Sequence, residues 1–272
     1  MYSTNSDLKI LKKITDLFNQ FIFDLDGVVY VGNKITPSAD DVIRAIRNKG
    51  KRVSFITNNP TRSRTEYRRK LNDLNIDAVE EDITTSCNAV HHYLAKKYRD
   101  IKYRSVYVIG SDYLKTEVAR TGAKIAREVK SHTADIVVAG GHNKFNYDEL
   151  KNASLAIQNG AFFLVTNKDS SYPSIEGLLP GTGAIVSSIE KASGKTARVA
   201  GKPEKYIFDI CIRTDKGKTV IIGDNLYTDI KGGKNAGIKT VLTLTGFTKQ
   251  KDTESNKIKP DYIINDLSGL LK

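Results

Sequence analysis

The sequence predicts a doubly wound α/β fold built on parallel strands. Three features of the 272-residue chain predict it. Short apolar runs alternate with helical patterns almost end to end. Most of those runs are continuous stretches of β-branched or aromatic residues, as suits parallel strands covered on both faces. Glycines stand where helical patterns stop, just ahead of the next apolar run. The length also exceeds what one hydrophobic core ordinarily fills, so two domains are expected.

The first element is a helical pattern of Leu8, Leu11, Ile14 and Phe18. Lys9, Lys12, Lys13 and Asp16 interrupt it, so it reads as a short amphipathic helix and not as the apolar centre of a signal peptide. Strands are then expected at 21–24, 53–57, 106–109, 136–139, 162–166, 198–200, 220–222, 240–244 and 262–264. Between them, Gly50, Gly122, Gly160, Gly194 and Gly237 each close a helix. Ser63 with Glu66, and Asn146 with Glu149, have the spacing of helix-opening capping pairs. Residues 248–260 are polar and lysine-rich, and an exposed loop is expected there.

Composition narrows the function. With 39% hydrophobic and 27% charged residues, the chain reads as an ordinary globular protein, and no apolar run is long enough to span a bilayer. Cys87 and Cys211 form no CxxC pair, which excludes a cysteine zinc site and suits a reducing cytoplasm. The net charge of +12 fits either nucleic acid or a small anionic substrate. The densest basic run, Arg62 to Lys70, reads as a solvated helix face. No nucleic-acid motif is present, so neither nucleic acid nor a membrane is expected as a partner.

The chemistry starts from FIFDLDGVVY, which sets Asp24 and Asp26 inside an apolar run. Burying unpaired charge there costs several kcal/mol, roughly, so partners are required. Other strand ends offer them. VSFI runs into Thr57 and Asn58, RVA into Gly201 and Lys202, and TVIIG into Asp224, with Asp229 five residues on. Open parallel sheets bind ligands beyond the carboxyl ends of their strands. If these four strands are neighbours, one crevice gathers carboxylates, a hydroxyl and an ammonium, with a cation completing the set.

DLDGVV, ITNN, GKP and GDNLYTDI, in that order, resemble the motifs of the haloacid dehalogenase-like phosphatases across nearly the whole chain. The long segment between ITNN and GKP resembles the NagD-type and 4-nitrophenyl phosphatase subgroup, whose members insert an α/β cap there. The resemblance implies a core at 1–84 and 177–272 and a cap at 85–176. It also implies an Mg2+-dependent phosphatase acting on a small phosphorylated metabolite through an aspartyl phosphate, with pairing through the cap carried over by analogy.

Its residue roles follow the motifs. Asp24 is the expected nucleophile, since a carboxylate can attack phosphorus and split hydrolysis into two steps. Asp26 is the expected general acid and base, and Gly27 leaves room for the backbone to approach a phosphate. Mg2+ is expected on Asp24, Asp224 and the backbone carbonyl of Asp26. Asp229 is placed one shell out, on a bound water or Lys202. Thr57, the Asn58 amide and Lys202 would hold the phosphate oxygens. The cap is expected to contribute His142, Asn143, Asn167 and Lys168. The subgroup usually reads Asn-Pro-Asp where this chain has Asn167-Lys168-Asp169, which leaves Lys168 between recognising a second anion and sitting in a solvated loop. His91 and His92, adjacent on a helix, form no i,i+4 metal pair and receive no role.

Other readings fit less well. A dinucleotide-binding dehydrogenase lacks its glycine fingerprint here, and no Walker A motif occurs. A basic, non-catalytic binding module is expected to have lost one of Asp24, Asp26, Lys202 and Asp224. A phosphotransferase or phosphomutase shares the chemistry but requires water to be kept from the aspartyl phosphate.

Overall fold

A computed structural model describes residues 14–127, 132–174 and 176–271. Two parallel sheets organise the chain. The first has six strands in the order Tyr262–Ile264, Lys239–Thr243, Thr219–Gly223, Gln20–Asp24, Arg52–Thr57 and Ile83–Thr85. Sequence order therefore reverses between Gln20–Asp24 and Thr219–Gly223. That is the topological switch point at which such sheets open a crevice. Register is set by pairs such as Phe23 with Ile222 on one side and with Phe55 on the other.

The second sheet has five strands, in the order Arg198–Val199, Phe162–Val165, Ile136–Ala139, Ser105–Ile109 and Lys124–Ile125. It draws on chain beyond residue 176, where the inserted cap was expected to end, because Arg198–Val199 pairs with Leu164 and Val165. All nine expected strands form, within one or two residues at their ends. The short Ile83–Thr85 and Lys124–Ile125 strands and the hairpins at 30–35 and 171–180 were not foreseen, being too brief for periodicity to register.

Burial explains the continuous apolar runs. Phe21, Phe23, Phe55, Val220 and Ile222 pack on one face of the first sheet against Val42, Ile43 and Ile46 of the helix Ala39–Asn48. On the other face Ile22, Ile56 and Ile221 join a core that also holds Val106, Val108, Ile136 and Val138 of the second sheet. The helix Ser86–Lys97, with Cys87, Ala89, Val90 and Leu94, lies within that shared core. The far face of the second sheet packs on Tyr147–Gln158 and Thr182–Ser193 through Ala153, Ala156, Val186 and Ile189.

All five helix-closing glycines take positive φ, from 69° at Gly50 to 101° at Gly160. Both capping pairs form. Of the N-terminal amphipathic pattern, Ile14–Leu17 is helical, and the rest lies outside the described residues. The segment expected as an exposed loop folds instead into a short helix, Gln250–Ser255, opened by the Lys249 amide donating to Asp252 at 2.9 Å. Among the described residues, no helix is long and apolar enough to cross a membrane.

Candidate active site

Asp24 is the last residue of its strand, and Asp224 directly follows Thr219–Gly223, the strand beside it. Both carboxylates are buried at the switch point. Two backbone segments close around them. The Gly27 amide donates to the Tyr30 carbonyl at 2.8 Å, and the Val29 amide to Leu25 at 2.9 Å, folding DLDGVVY into a tight loop. Gly27 takes φ +89°, and a Cβ there would collide with the Asp224 carboxylate. A Cβ on Gly246 would meet the same carboxylate. The neighbouring Phe247 amide donates to Asp224 Oδ2 at 2.6 Å.

Lys202 reaches this point from elsewhere. The expectation that four neighbouring strands would supply the site needs correcting, because Arg198–Val199 edges the second sheet. The chain crosses from there over Gly201, where any side chain would strike the Thr166 carbonyl and Asn58 Oδ1. The Lys202 amide donates to Asn58 Oδ1 at 2.8 Å. Its ammonium, almost fully buried, lies 2.7 Å from Asp24 Oδ1 and 2.7 Å from Asp229 Oδ1. The other Asp229 oxygen accepts from the Asn225 amide at 3.1 Å. Asp229 is thus tied on both sides, and its place is beside Lys202.

The electrostatics are strained by design of the sequence. Burial, reinforced by Asp229 and Asp224 and opposed by Lys202, raises the Asp24 carboxyl well above its ordinary value. Burial and Asp229 push Asp224 up to about 7, against the Phe247 amide and Lys202. Burial pulls Lys202 down, but Asp229 and Asp24 outweigh it and hold the ammonium protonated. Asp26 is solvent-accessible at the crevice mouth. Crowding by protein still raises its carboxyl, against the pull of Lys70, Lys202 and Arg62.

Oxygens of Asp24, Asp224 and Asp229 all lie within 4.8 Å of one another. Fully ionised, the three buried carboxylates would exceed the ammonium of Lys202 by two negative charges. Hard oxygen donors with that excess suit a divalent cation such as Mg2+.

Thr57 ends the strand on the other side of Asp24 and is buried, its hydroxyl accepting from the Asn59 amide at 3.1 Å. Asn58 does more than an amide donor would. Its side-chain nitrogen donates to both Asp169 oxygens, at 3.2 and 3.1 Å, and to the Lys202 carbonyl at 3.1 Å. Its carbonyl accepts from Ser86 at 2.7 Å and from Asn167 at 2.8 Å. Asn58 therefore joins the first sheet to the 167–169 segment and to Lys202.

The residues expected from the cap are disposed differently. Asn167 is buried against Asn58 and is part of that junction. Lys168 pairs with Glu190 of the helix Thr182–Ser193 at 2.6 Å. His142 Nε2 lies 3.2 Å from Glu149, too poorly aligned for a hydrogen bond, and Asn143 is exposed in the turn after it. The backbone loop at Gly246 and Phe247 was missed. Its signal was the strand Lys239–Thr243 running into Thr245-Gly246, a fourth strand tip at the carboxyl end of the first sheet.

Residues 21–124 match the family model of haloacid dehalogenase-like hydrolases, and 199–270 match a second HAD hydrolase-like model. The chain is 34% identical to the 5'-nucleotidase YutF of Bacillus subtilis over 92% of its own length and 96% of that protein. It is also 34% identical to an acid sugar phosphatase of Staphylococcus epidermidis over the same shares. A glycerol phosphate phosphatase of Mycobacterium tuberculosis, solved with magnesium, superposes with a TM-score of 0.87 at 32% identity, covering 95% of this chain and 78% of that one. A 4-nitrophenylphosphatase of Thermotoga maritima gives 0.87 at 31% identity over 94% and 97%.

Proposed function

This chain belongs to the haloacid dehalogenase-like hydrolase family and is a phosphoric monoester hydrolase, and from that premise we propose that it works in two steps through an aspartyl phosphate on Asp24, with Mg2+ as its cation. An Asp24 oxygen attacks the phosphorus, and the bond from phosphorus to the ester oxygen breaks. The leaving oxygen takes its proton from Asp26 and departs as an alcohol. Asp26, now ionised, removes a proton from water, whose oxygen attacks the same phosphorus. The bond to Asp24 breaks, and inorganic phosphate leaves.

The observation that carries this reading is the ammonium of Lys202 at 2.7 Å from Asp24, with Asp224 in the same carboxylate group. Lys202 opposes the rise that burial imposes on the Asp24 carboxyl, favouring its ionised form, and offers positive charge to the transferring oxygens. Thr57 and the Asn58 amide border the same strand end. Held by Asp24 and Asp224, Mg2+ would offset charge on the phosphoryl oxygens. Asp26, exposed at the mouth, can reach both a leaving group and water. The relatives act, by their names, on nucleotides, sugar phosphates, glycerol phosphate and 4-nitrophenyl phosphate. For this chain the substrate is a small phosphate monoester, approached through the crevice mouth.

The test is a screen of phosphate monoesters with Mg2+, measuring released phosphate, joined to acid quenching and peptide mapping. A phosphorylated peptide containing Asp24 is expected. Steady turnover with no such peptide, or with phosphate on another residue, would falsify the two-step scheme.

A further inference from the structure

The geometry points to a second anion site, separate from the catalytic crevice, in which Arg213, Arg64 and His92 bind a small phosphate-like oxyanion. The residues line one cleft of about 230 Å³, with Thr84, Asn88, His91, Glu81, Glu117 and Arg120. That volume falls below the roughly 300 Å³ at which drug-sized sites begin, so a small ligand is called for.

The cleft is set sideways from Asp24, along the edge strand Ile83–Thr85, which lies two strands from Gln20–Asp24 in the first sheet. The Arg213 amide donates at 2.8 Å to the side chain of Gln20, the first residue of the strand that ends at Asp24. Gln20 and Asp24 are four residue steps apart along that strand, roughly 13 Å. The second wall is the helix Ser86–Lys97, which presents Asn88, His91 and His92 at i, i+3 and i+4, hence on one face. The third is the helix Asp112–Ala119, which brings Glu117, with Arg120 just beyond it. The first sheet, the shared core helix and the second sheet's flank all meet here.

Charge decides what the cleft takes. Three guanidinium groups face two carboxylates. Glu117, buried, is already satisfied by Arg120 at 2.7 Å and by Asn88 at 3.1 Å. His91 is satisfied as well, since its Nδ1 donates to the Glu117 carbonyl at 3.0 Å. Arg64 and Arg213 have no carboxylate partner among the described residues, and Arg64 reaches only the Glu80 carbonyl, at 3.4 Å. His92, exposed on its helix, contacts the His91 ring edge-on at 5.3 Å and has no hydrogen-bond partner among the described residues. Burial first and then His91, with smaller contributions from Arg64 and Arg213, depress its protonation, against Glu117. Two planar guanidinium forks and an imidazole beside them are the groups that grip phosphate or sulfate bidentately. Exposed Glu81 at the rim is the one carboxylate an anion must avoid.

The chain has four histidines, so their ring signals can be followed individually by NMR in the full-length protein. Inorganic phosphate and sulfate are titrated as probes, with chloride at matched ionic strength as the third arm. Phosphate and sulfate are expected to shift the His92 signals saturably and raise its apparent pKa, while chloride does not. Arg213→Met should weaken phosphate affinity read at His92 by about tenfold or more; Arg213→Lys keeps the charge, loses the fork and should fall between. If Arg213→Met fails to fold, His92→Gln read by phosphate calorimetry replaces it, with one of two binding events expected to vanish. No saturable shift, an equal shift with chloride, or unchanged affinity in these variants overturns the site.

Discussion

Lys202 Nζ lies 2.7 Å from Asp24 Oδ1, and the same ammonium lies 2.7 Å from Asp229 Oδ1. One buried cation thus serves two buried carboxylates, one at the end of the strand Gln20–Asp24 and the other in the helical turn Leu226–Ile230. Lys202→Met keeps most of the volume but leaves both carboxylates unpaired. Breaking a buried pair this way typically costs about 3–5 kcal/mol. Urea unfolding without divalent ions should show a loss of that size, together with loss of turnover. A change under about 1 kcal/mol would show that the pair contributes little to the fold.

Asp24→Asn should fold, bind Mg2+ more weakly and turn over more than about a thousandfold more slowly, as removal of a covalent nucleophile does elsewhere. The measurement is phosphate release by a preparation free of contaminating phosphatase. Retention of even about a tenth of the wild-type rate would sink covalent catalysis at this residue.

The raised carboxyls fix the sign of a pH effect. Asp224 is pushed from 3.8 up to about 7 in the folded chain. Between those values the folded state holds a proton that the unfolded state has released. Stability without metal should therefore fall as pH rises through that window. Mg2+ requires the ionised carboxylate, so the rise in Tm that it produces should grow from pH 5 to pH 8. Thermal unfolding in chelator and in Mg2+ across that range reads both. A metal-induced rise that is flat with pH, or unchanged in Asp224→Asn, removes Asp224 as a ligand.

What the sequence disclosed about this site tracks how local each signal is. Asp24, Thr57 and Asp224 were legible because a continuous apolar strand running into a polar residue marks its own carboxyl end, and these three strands are neighbours. Lys202 was found by the same sign but for a partly wrong reason. Its strand edges the other sheet, and nothing local reveals which sheet a two-residue strand joins. Asn58 looked like a backbone donor because its side-chain partners, Asp169 and Lys202, lie far along the chain. Lys168 left two readings open, and only the packing of the helix Thr182–Ser193 brings Glu190 to it.

That pairing yields a negative prediction. The Lys168–Glu190 contact is partly exposed, and such pairs contribute roughly 0–1 kcal/mol. Lys168→Ala should leave kcat/KM within about twofold for every substrate found, with a small loss of stability. A selective rise in KM for substrates carrying a second anionic group would instead return Lys168 to the recognition of substrate.

The junction at Asn58 carries the last prediction. Its side chain holds Asp169 and both backbone groups of Lys202, so it positions the ammonium that Asp24 needs. Burial raises the Asp169 carboxyl, and the bond from Asn58 opposes that rise. Asn58→Ala removes all of these bonds at once and leaves a half-buried carboxylate and the buried Lys202 amide without these partners, at most about 1–3 kcal/mol for each group. Asp169→Asn should cost less, since it removes the charge along with the partner. Because the two side chains touch, the double variant should be less damaged than the sum of the singles, by roughly 0.5–3 kcal/mol. In Asn58→Ala, kcat should fall more than KM rises, because a loosened Lys202 weakens the stabilisation of charge that develops during transfer more than it weakens binding. Strict additivity in the cycle, with kcat untouched, would mean that Asn58 only packs the junction and that Lys202 is positioned without it.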